Sequence, residues 1–369
     1  MAEFIRGTGL AVTPLQHSLD IYKQYMLNMF FKNMMGKKGS GKPIIVDDEV
    51  FKGRAAGDVG RFHFIPQFRG KGIRGQNASV LGNENTLEEF YMDLRIDQIT
   101  QAFRKKGKMT TKRMIWDFRE EAKNQLAEWF RMQTELDIID SLSGYNTDGA
   151  TYVEGTAALT LDAVNGSGRC IRPDYADSKF SCVTVSAADS DTTSLLSAFQ
   201  TTDKMNTQIL DHLQDFAKTG NSKYAMKPIR AKNGEEYYML VLHPKAAIDL
   251  RNDERWEKRA LASLTGRGSL EGDPIATGAI GVWEHIIIKE ANFIKTHTNS
   301  AGTLSFARNL LLGAEAAVMA YGQTLDYSEE LLDHKRIISD AADEIRGIKK
   351  LTFDGVDLNI AQVPCAITM

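Results

Sequence analysis

Cysteine is scarce: Cys170, Cys182 and Cys365 are the whole complement of a 369-residue chain. An odd three cannot build a disulfide framework, and no CxxC or cysteine–histidine grouping has the spacing of a zinc site, so folding in a reducing compartment fits best. The seven histidines, at 17, 63, 212, 243, 285, 297 and 334, are scattered, and GxSxG, HExxH, GxGxxG and calcium-loop patterns are absent. No catalytic residue, cofactor or metal is therefore expected. No run reaches 18 apolar residues, and MAEFIRGTGLAVTPLQ lacks a basic leader with an unbroken apolar core, which argues against membrane spans and the usual secretory route. A basic excess is missing too: 45 basic and 48 acidic residues give a net charge of -3, so any nucleic-acid contact must be local.

The composition that remains, 43% hydrophobic and 25% charged, suffices for one large core or two to three smaller ones. The longest helical pattern runs from Thr110 to Ser143. Its apolar residues, among them Phe118, Ala122, Leu126, Trp129, Leu136, Ile139 and Leu142, recur in steps of three and four and form one stripe. Thr110 or Thr111 can cap the start, and Gly144 offers a left-handed stop. At 1.5 Å per residue such a helix would be about 50 Å long, a scaffold with Phe118, Leu126, Trp129 and Leu136 as its core. The acid pairs Glu120–Glu121 and Asp137–Asp140 read as its solvated face.

Residues 1 to 56 read as an arm: an amphipathic helix over Leu15 to Met35, then GKKGSGKP as a flexible basic linker. Gly36-x-x-x-x-Gly41-Lys42 imitates a phosphate loop, but it lacks a strand before, a helix after, and the Ser or Thr that would hold magnesium. Residues 57 to 108 read as two strands, Asp58 to Phe68 with Val59, Phe62 and Phe64 packed, and Phe90 to Phe103 with Met92, Leu94 and Ile96 packed. The connector between them, rich in glycine and asparagine, is far longer than a tight turn. A ribbon of two strands is marginal alone in water, so it needs a partner surface. The return carries Arg104, Lys105, Lys106, Lys108, Lys112 and Arg113 without an acid, for contact with a neighbouring subunit's acids, with phosphate, or with solvent alone.

Residues 145 to 200 read as a loop-rich insertion on the outside of a core. Beyond it come a helix over Thr201 to Thr219, a buried strand from Glu236 to His243, and a helix from Pro244 through KAAIDLRNDERWEKRAL. A strand pair follows over Gly278 to Glu290, then a small-residue helix over Phe306 to Gly322 and closing strands over Leu351 to Ile367. The fold class is α+β without repeated βαβ units.

An arm, a long two-stranded loop, a basic return, a long helix and a mixed domain ending in strands resemble the major capsid (coat) proteins of tailed bacteriophages. The shell fold of that family is shared with herpesvirus capsids. The phrases that carry the likeness are GDVGRFHFIPQFRGKGIRGQNASVLGNENTLEEF, AKNQLAEWFRMQTELDIIDSLSG, YYMLVLHPKAAIDLRND, Gly281-x-Trp283, LLLGAEAAVMAYG and KKLTFDGVDLNIAQVPCA. More narrowly they look like the branch of short-tailed phages related to coliphage N-four.

The resemblance implies an N-terminal arm (1–56), an extended loop (57–108), a spine helix of a peripheral domain (109–144), an axial domain (145–320, with an insertion at 145–200) and a return to the peripheral domain (321–369). It implies a structural protein of hexameric and pentameric capsomers in the virion shell, assembled in the host bacterial cytoplasm. The partners implied are other copies, portal, scaffolding or decoration proteins, and packaged double-stranded DNA held without sequence specificity; no membrane is involved. Subunit contacts are expected at Arg69, Lys71, Arg74, Asn77, Leu81 and Asn83 of the loop and at Phe30 and Phe31 of the arm. DNA-facing residues are expected at Lys32, Lys37, Lys38 and Lys42. Two alternatives stay open: a hydrolytic enzyme with a carboxylate site that has no local signature, and a non-viral compartment protein of the same fold.

Overall fold

The computed structural model describes residues 12–47, 51, 57–64, 90–105, 118–144, 169–176, 179–185, 199–219, 226–231, 234–263, 279–298, 304–332, 334, 337–353 and 356–367. Two sheets dominate. The larger runs, in spatial order, Ala279–Trp283, Ile286–Glu290, Glu236–Leu242, Ser305–Leu312, Ile360–Ile367, Cys170–Ala176, Lys179–Val185, with Thr296–Thr298 and Ile229–Arg230 as short additions. The other runs Met35–Gly36, Ile44–Val46, Ala317–Leu332, Ile337–Lys350, Asp97–Lys105.

Ser305–Leu312 and Ile360–Ile367 pair antiparallel across eight positions, and every residue of both is buried. A strand covered on both faces reads as an unbroken apolar run, and periodicity cannot tell such a run from a buried helix. That is why Phe306 to Gly322, expected as a helix, is instead the strand Ser305–Leu312, a turn, and the start of Ala317–Leu332. Ala317–Leu332 and Ile337–Lys350 form a long hairpin in the smaller sheet. The last 49 residues therefore divide: Ile337–Lys350 joins the smaller sheet, whereas Ile360–Ile367 is central to the larger one.

The long helix spans Phe118–Ser143, 26 residues, and Gly144 ends it at φ 85°. Its fully covered residues include Leu126, Phe130, Thr134, Ile138, Ser141 and Leu142. The buried stripe keeps Ala122, Leu126, Ile139 and Leu142 of the expected one but shifts in its middle: Phe130, Thr134 and Ile138 are buried, Trp129 and Leu136 are half-buried, and Met132 is exposed. The side chain of Phe118 and residues 106–117 lie outside the described residues. Asp137 and Asp140, expected on the solvated face, are 3% and 4% exposed, so polar groups share the inward face. Asp137 pairs with Arg346 at 2.6 Å and Asp140 with Lys295 at 3.1 Å.

The helix expected to run on from Pro244 is two, Pro244–Arg251 and Glu254–Ser263. Asp253 leaves the helical path because its carboxylate accepts the Thr207 backbone N–H at 2.7 Å and the Thr207 hydroxyl at 2.8 Å, capping the helix Thr207–Thr219. His243 caps Pro244–Arg251 by accepting the Lys245 N–H on Nδ1. Within Phe90–Lys105 the strand breaks at Ile96: Phe90–Arg95 pairs with Val59–Phe64, and Asp97–Lys105 with Ile337–Lys350.

Candidate assembly surfaces

The ribbon of Val59–Phe64 and Phe90–Arg95 places Phe62 opposite Met92 and Gly60 opposite Leu94. Phe62, Met92 and Leu94 are buried against Ile45, Phe51, Val318, Ala320 and Leu351, so the chain itself covers that side. Val59, expected among them, has the wrong parity for that side and is 43% exposed. The other side remains open. There Tyr91 is 59% exposed, Arg61 pairs with Asp93 at 2.9 Å, and the Arg61 guanidinium lies 4.0 Å from the Tyr91 ring centre. The Arg61 hydrogen bond holds the Asp93 carboxyl below its ordinary range. Arg69, Lys71, Arg74, Asn77, Leu81 and Asn83 lie outside the described residues.

The basic stretch after the arm is not a loose tether. Met35–Gly36 and Ile44–Val46 pair in parallel, which closes residues 37–43 into a loop. Glu315 and Ala316 donate backbone N–H groups to the carbonyls of Lys42 and Pro43 at 2.8 and 2.6 Å. A Cβ at Gly36 would lie 2.4 Å from Ser40 Oγ, so a larger residue there would push the Ser40 and Lys42 side chains aside. Lys38 Nζ donates to the His63 carbonyl and sits 4.8 Å over the Phe62 ring; Lys42 Nζ donates to the Met35 carbonyl at 2.8 Å. Both lysines are thus tied to their own chain, although Lys38 is exposed like Lys32 and Lys37. A parallel pair this short has no pattern in a sequence rich in glycine and lysine, which is why the stretch reads as a linker.

The arm helix, Val12–Asn28, lies on the long helix and on Ala317–Leu332. Ile21 and Tyr25 are buried in the main core, and Phe31 is fully buried with them. Phe31 is therefore core and not a subunit contact; Phe30 is half-buried, and its backbone N–H donates to Glu135 Oε1 at 2.6 Å. Much of the apolar side of the arm is covered within the chain, by the long helix and Ala317–Leu332. Leu19 and Leu27 remain exposed.

Beneath the arm lies a buried polar node that sequence reasoning missed. Arg346 donates to Thr134 Oγ1 and Asp137 Oδ2, both at 2.6 Å, and to Glu344 Oε2 at 3.3 Å. The Tyr25 hydroxyl donates to Glu344 Oε1 at 3.4 Å and lies 3.3 Å from the Tyr321 hydroxyl. Burial pushes the Glu344 carboxyl above its ordinary range, against the attraction of Arg346. Burial also works against the charge of Arg346, but Glu344 and Asp137 keep the guanidinium protonated. The one sequence signal is the alternation Asp340, Ala342, Glu344, Arg346, whose charges face inward and so resemble a solvated strand edge.

In a shallow cavity of about 500 Å³ at Phe30, Arg131, Glu135 and Glu290, Arg131 is paired with Glu135 at 2.7 Å. Burial pushes the Cys170 and Cys182 thiols up to about 12, which removes the thiolate at neutral pH. Among the described residues no three His, Cys, Asp or Glu side chains are grouped to hold a metal ion, and no helix is long and apolar enough to cross a membrane.

The family model described as "Phage capsid protein" matches residues 6–365. The major capsid protein of Pseudomonas phage KPP25 is 28% identical over 233 residues, which take in 61% of this chain and 57% of that protein's length. Among solved structures, the capsid of Ralstonia phage GP4 aligns with a TM-score of 0.70 at 23% identity over 92% of both chains. The Cyanophage Pam1 capsid asymmetric unit aligns at 0.68 and 18% identity, over 91% of this chain and 92% of that one. At those identities the likeness is one of fold, and it extends over nine-tenths of the chain.

Proposed function

Since the chain belongs to the phage capsid protein family, we propose that it is the major capsid protein of a phage, a structural and non-catalytic subunit whose copies form the icosahedral shell around double-stranded DNA. The observation that carries this reading is the reach of the family match, from residue 6 to residue 365. The open side of the ribbon adds physical support, because Val59 and Tyr91 stay exposed on a two-stranded element whose other side is filled. Heterologous contacts between identical copies close into rings, and hexamers and pentamers are the rings such a shell requires.

In domain terms, the sheet bearing the long helix is the peripheral domain and the larger sheet the axial domain. Portal, scaffolding or decoration proteins are the further partners, the virion capsid is the location, and the host bacterial cytoplasm the place of assembly. The affinity with short-tailed phages related to coliphage N-four is part of this proposal. A hydrolytic enzyme and a non-viral compartment, the readings left open by the sequence, gain no support from the relatives named above. Sedimentation and negative-stain microscopy of the purified full chain test the proposal: rings or closed shells are expected, and a uniformly monomeric protein with all head partners supplied contradicts it.

A further inference from the structure

Three separate elements meet at Glu344. The arm helix contributes Tyr25, the strand Ala317–Leu332 contributes Tyr321, and the long helix contributes Thr134 and Asp137 through Arg346. The remaining neighbour in the sheet, the strand Asp97–Lys105, places uncharged Ile99 opposite Glu344. Arg346 and Asp137 are therefore the charged groups that face this carboxylate, with the phenols of Tyr25 and Tyr321 beside it. Of these groups, only Tyr25 belongs to the arm.

We propose that the arm helix is a latch whose grip depends on pH: it closes over Glu344, so that docking of the arm and protonation of Glu344 favour each other. Two effects of the arm compete at this carboxylate. Covering Glu344 takes it out of water, which disfavours its charged form, whereas the Tyr25 hydroxyl stabilises that charge. At 3.4 Å the Tyr25 contact is well beyond the 2.7–2.8 Å usual for O–H···O bonds, so it is weak. Desolvation is also the largest influence on Glu344, and the Arg346 pairing that opposes it comes from the body and persists when the arm lifts.

The sign follows. A carboxyl that titrates higher with the arm docked than with it lifted binds protons more readily in the docked state. Docking is then strongest at low pH and weakens as pH rises through the titration of covered Glu344. Each unit by which the arm raises that titration point changes the docking equilibrium about tenfold.

Hydrogen exchange of the full chain, measured at pH 5, 6, 7 and 8 and corrected for the intrinsic exchange rate, tests this without reference to shell formation. Protection of residues 12–28, relative to the long helix 118–143 as internal reference, should fall steadily from pH 5 to pH 8. Tyr25→Phe, which keeps the ring and removes the weaker opposing effect, should retain that slope. Glu344→Gln should abolish it wherever the variant folds. Protection in the wild-type protein that is flat with pH, or that increases with pH, overturns the proposal, as does an unchanged slope in folded Glu344→Gln.

Discussion

Arg346 Nη2 donates to Asp137 Oδ2 at 2.6 Å across 209 positions of sequence, with both side chains buried. This pair fastens the long helix to the hairpin strand Ile337–Lys350. Removing Asp137 takes away the shorter of the two carboxylate contacts of buried Arg346 and leaves Glu344 at 3.3 Å, so Asp137→Ala should destabilise the unassembled protein by about 3 kcal/mol in urea unfolding. A loss below about 1 kcal/mol would mean that water reaches Arg346.

The shifted stripe of the long helix predicts an order of effects. Phe130→Ala empties a fully covered site and should cost about 3–5 kcal/mol, whereas Trp129→Ala acts at a half-buried ring and should cost less. Thermal unfolding of the two variants decides; a larger loss at Trp129 would restore the stripe expected from periodicity.

The pH dependence of stability should have two limbs. Burial raises the Glu135 and Asp140 carboxyls in the folded chain, so their effect favours folding more as pH falls from neutral toward the ordinary carboxylate range. Asp253 is the opposite case: burial works against its charge, but the Thr207 donors hold it below its ordinary value. Its stabilisation is present above the ordinary range and is lost as pH falls through the folded value. Asp253→Ala should cost about 1 kcal/mol at pH 7, as loss of a helix cap does, and much less at pH 2. Urea midpoints across pH check both limbs.

Parts of this were legible and parts were not, for stated reasons. Glu236–Leu242, Ala279–Trp283 and Ile286–Glu290 are strands whose apolar, β-branched runs leave little alternative, and Pro244 marks its helix start by fixing φ. Phe306 to Gly322 misleads because burial on both faces erases the period of two. Asp137 and Asp140 mislead because a charge buried against a cation looks, in one dimension, like a charge in water. Their partners Arg346 and Lys295 lie 209 and 155 positions away, beyond any local pattern.

The fastening of the basic loop separates its four lysines. Lys38 and Lys42 hold carbonyls of their own chain, whereas Lys32 and Lys37 are exposed with no side-chain partner among the described residues. Changing Lys32 and Lys37 to Gln should reduce the salt dependence of DNA binding by disassembled protein. Changing Lys38 and Lys42 to Gln should lower stability instead and leave that dependence unaltered. Equal salt effects from the two pairs would contradict the division.

The central claim is that this chain builds a shell through elements that reach from one copy to the next. Sedimentation velocity of the wild-type chain beside a variant lacking Lys71 to Asn85 tests it most directly, with circular dichroism to establish folding. The account predicts fast-sedimenting rings or shells from the wild type and a folded, slowly sedimenting subunit from the deletion. Shells of wild-type size from the deletion would contradict it.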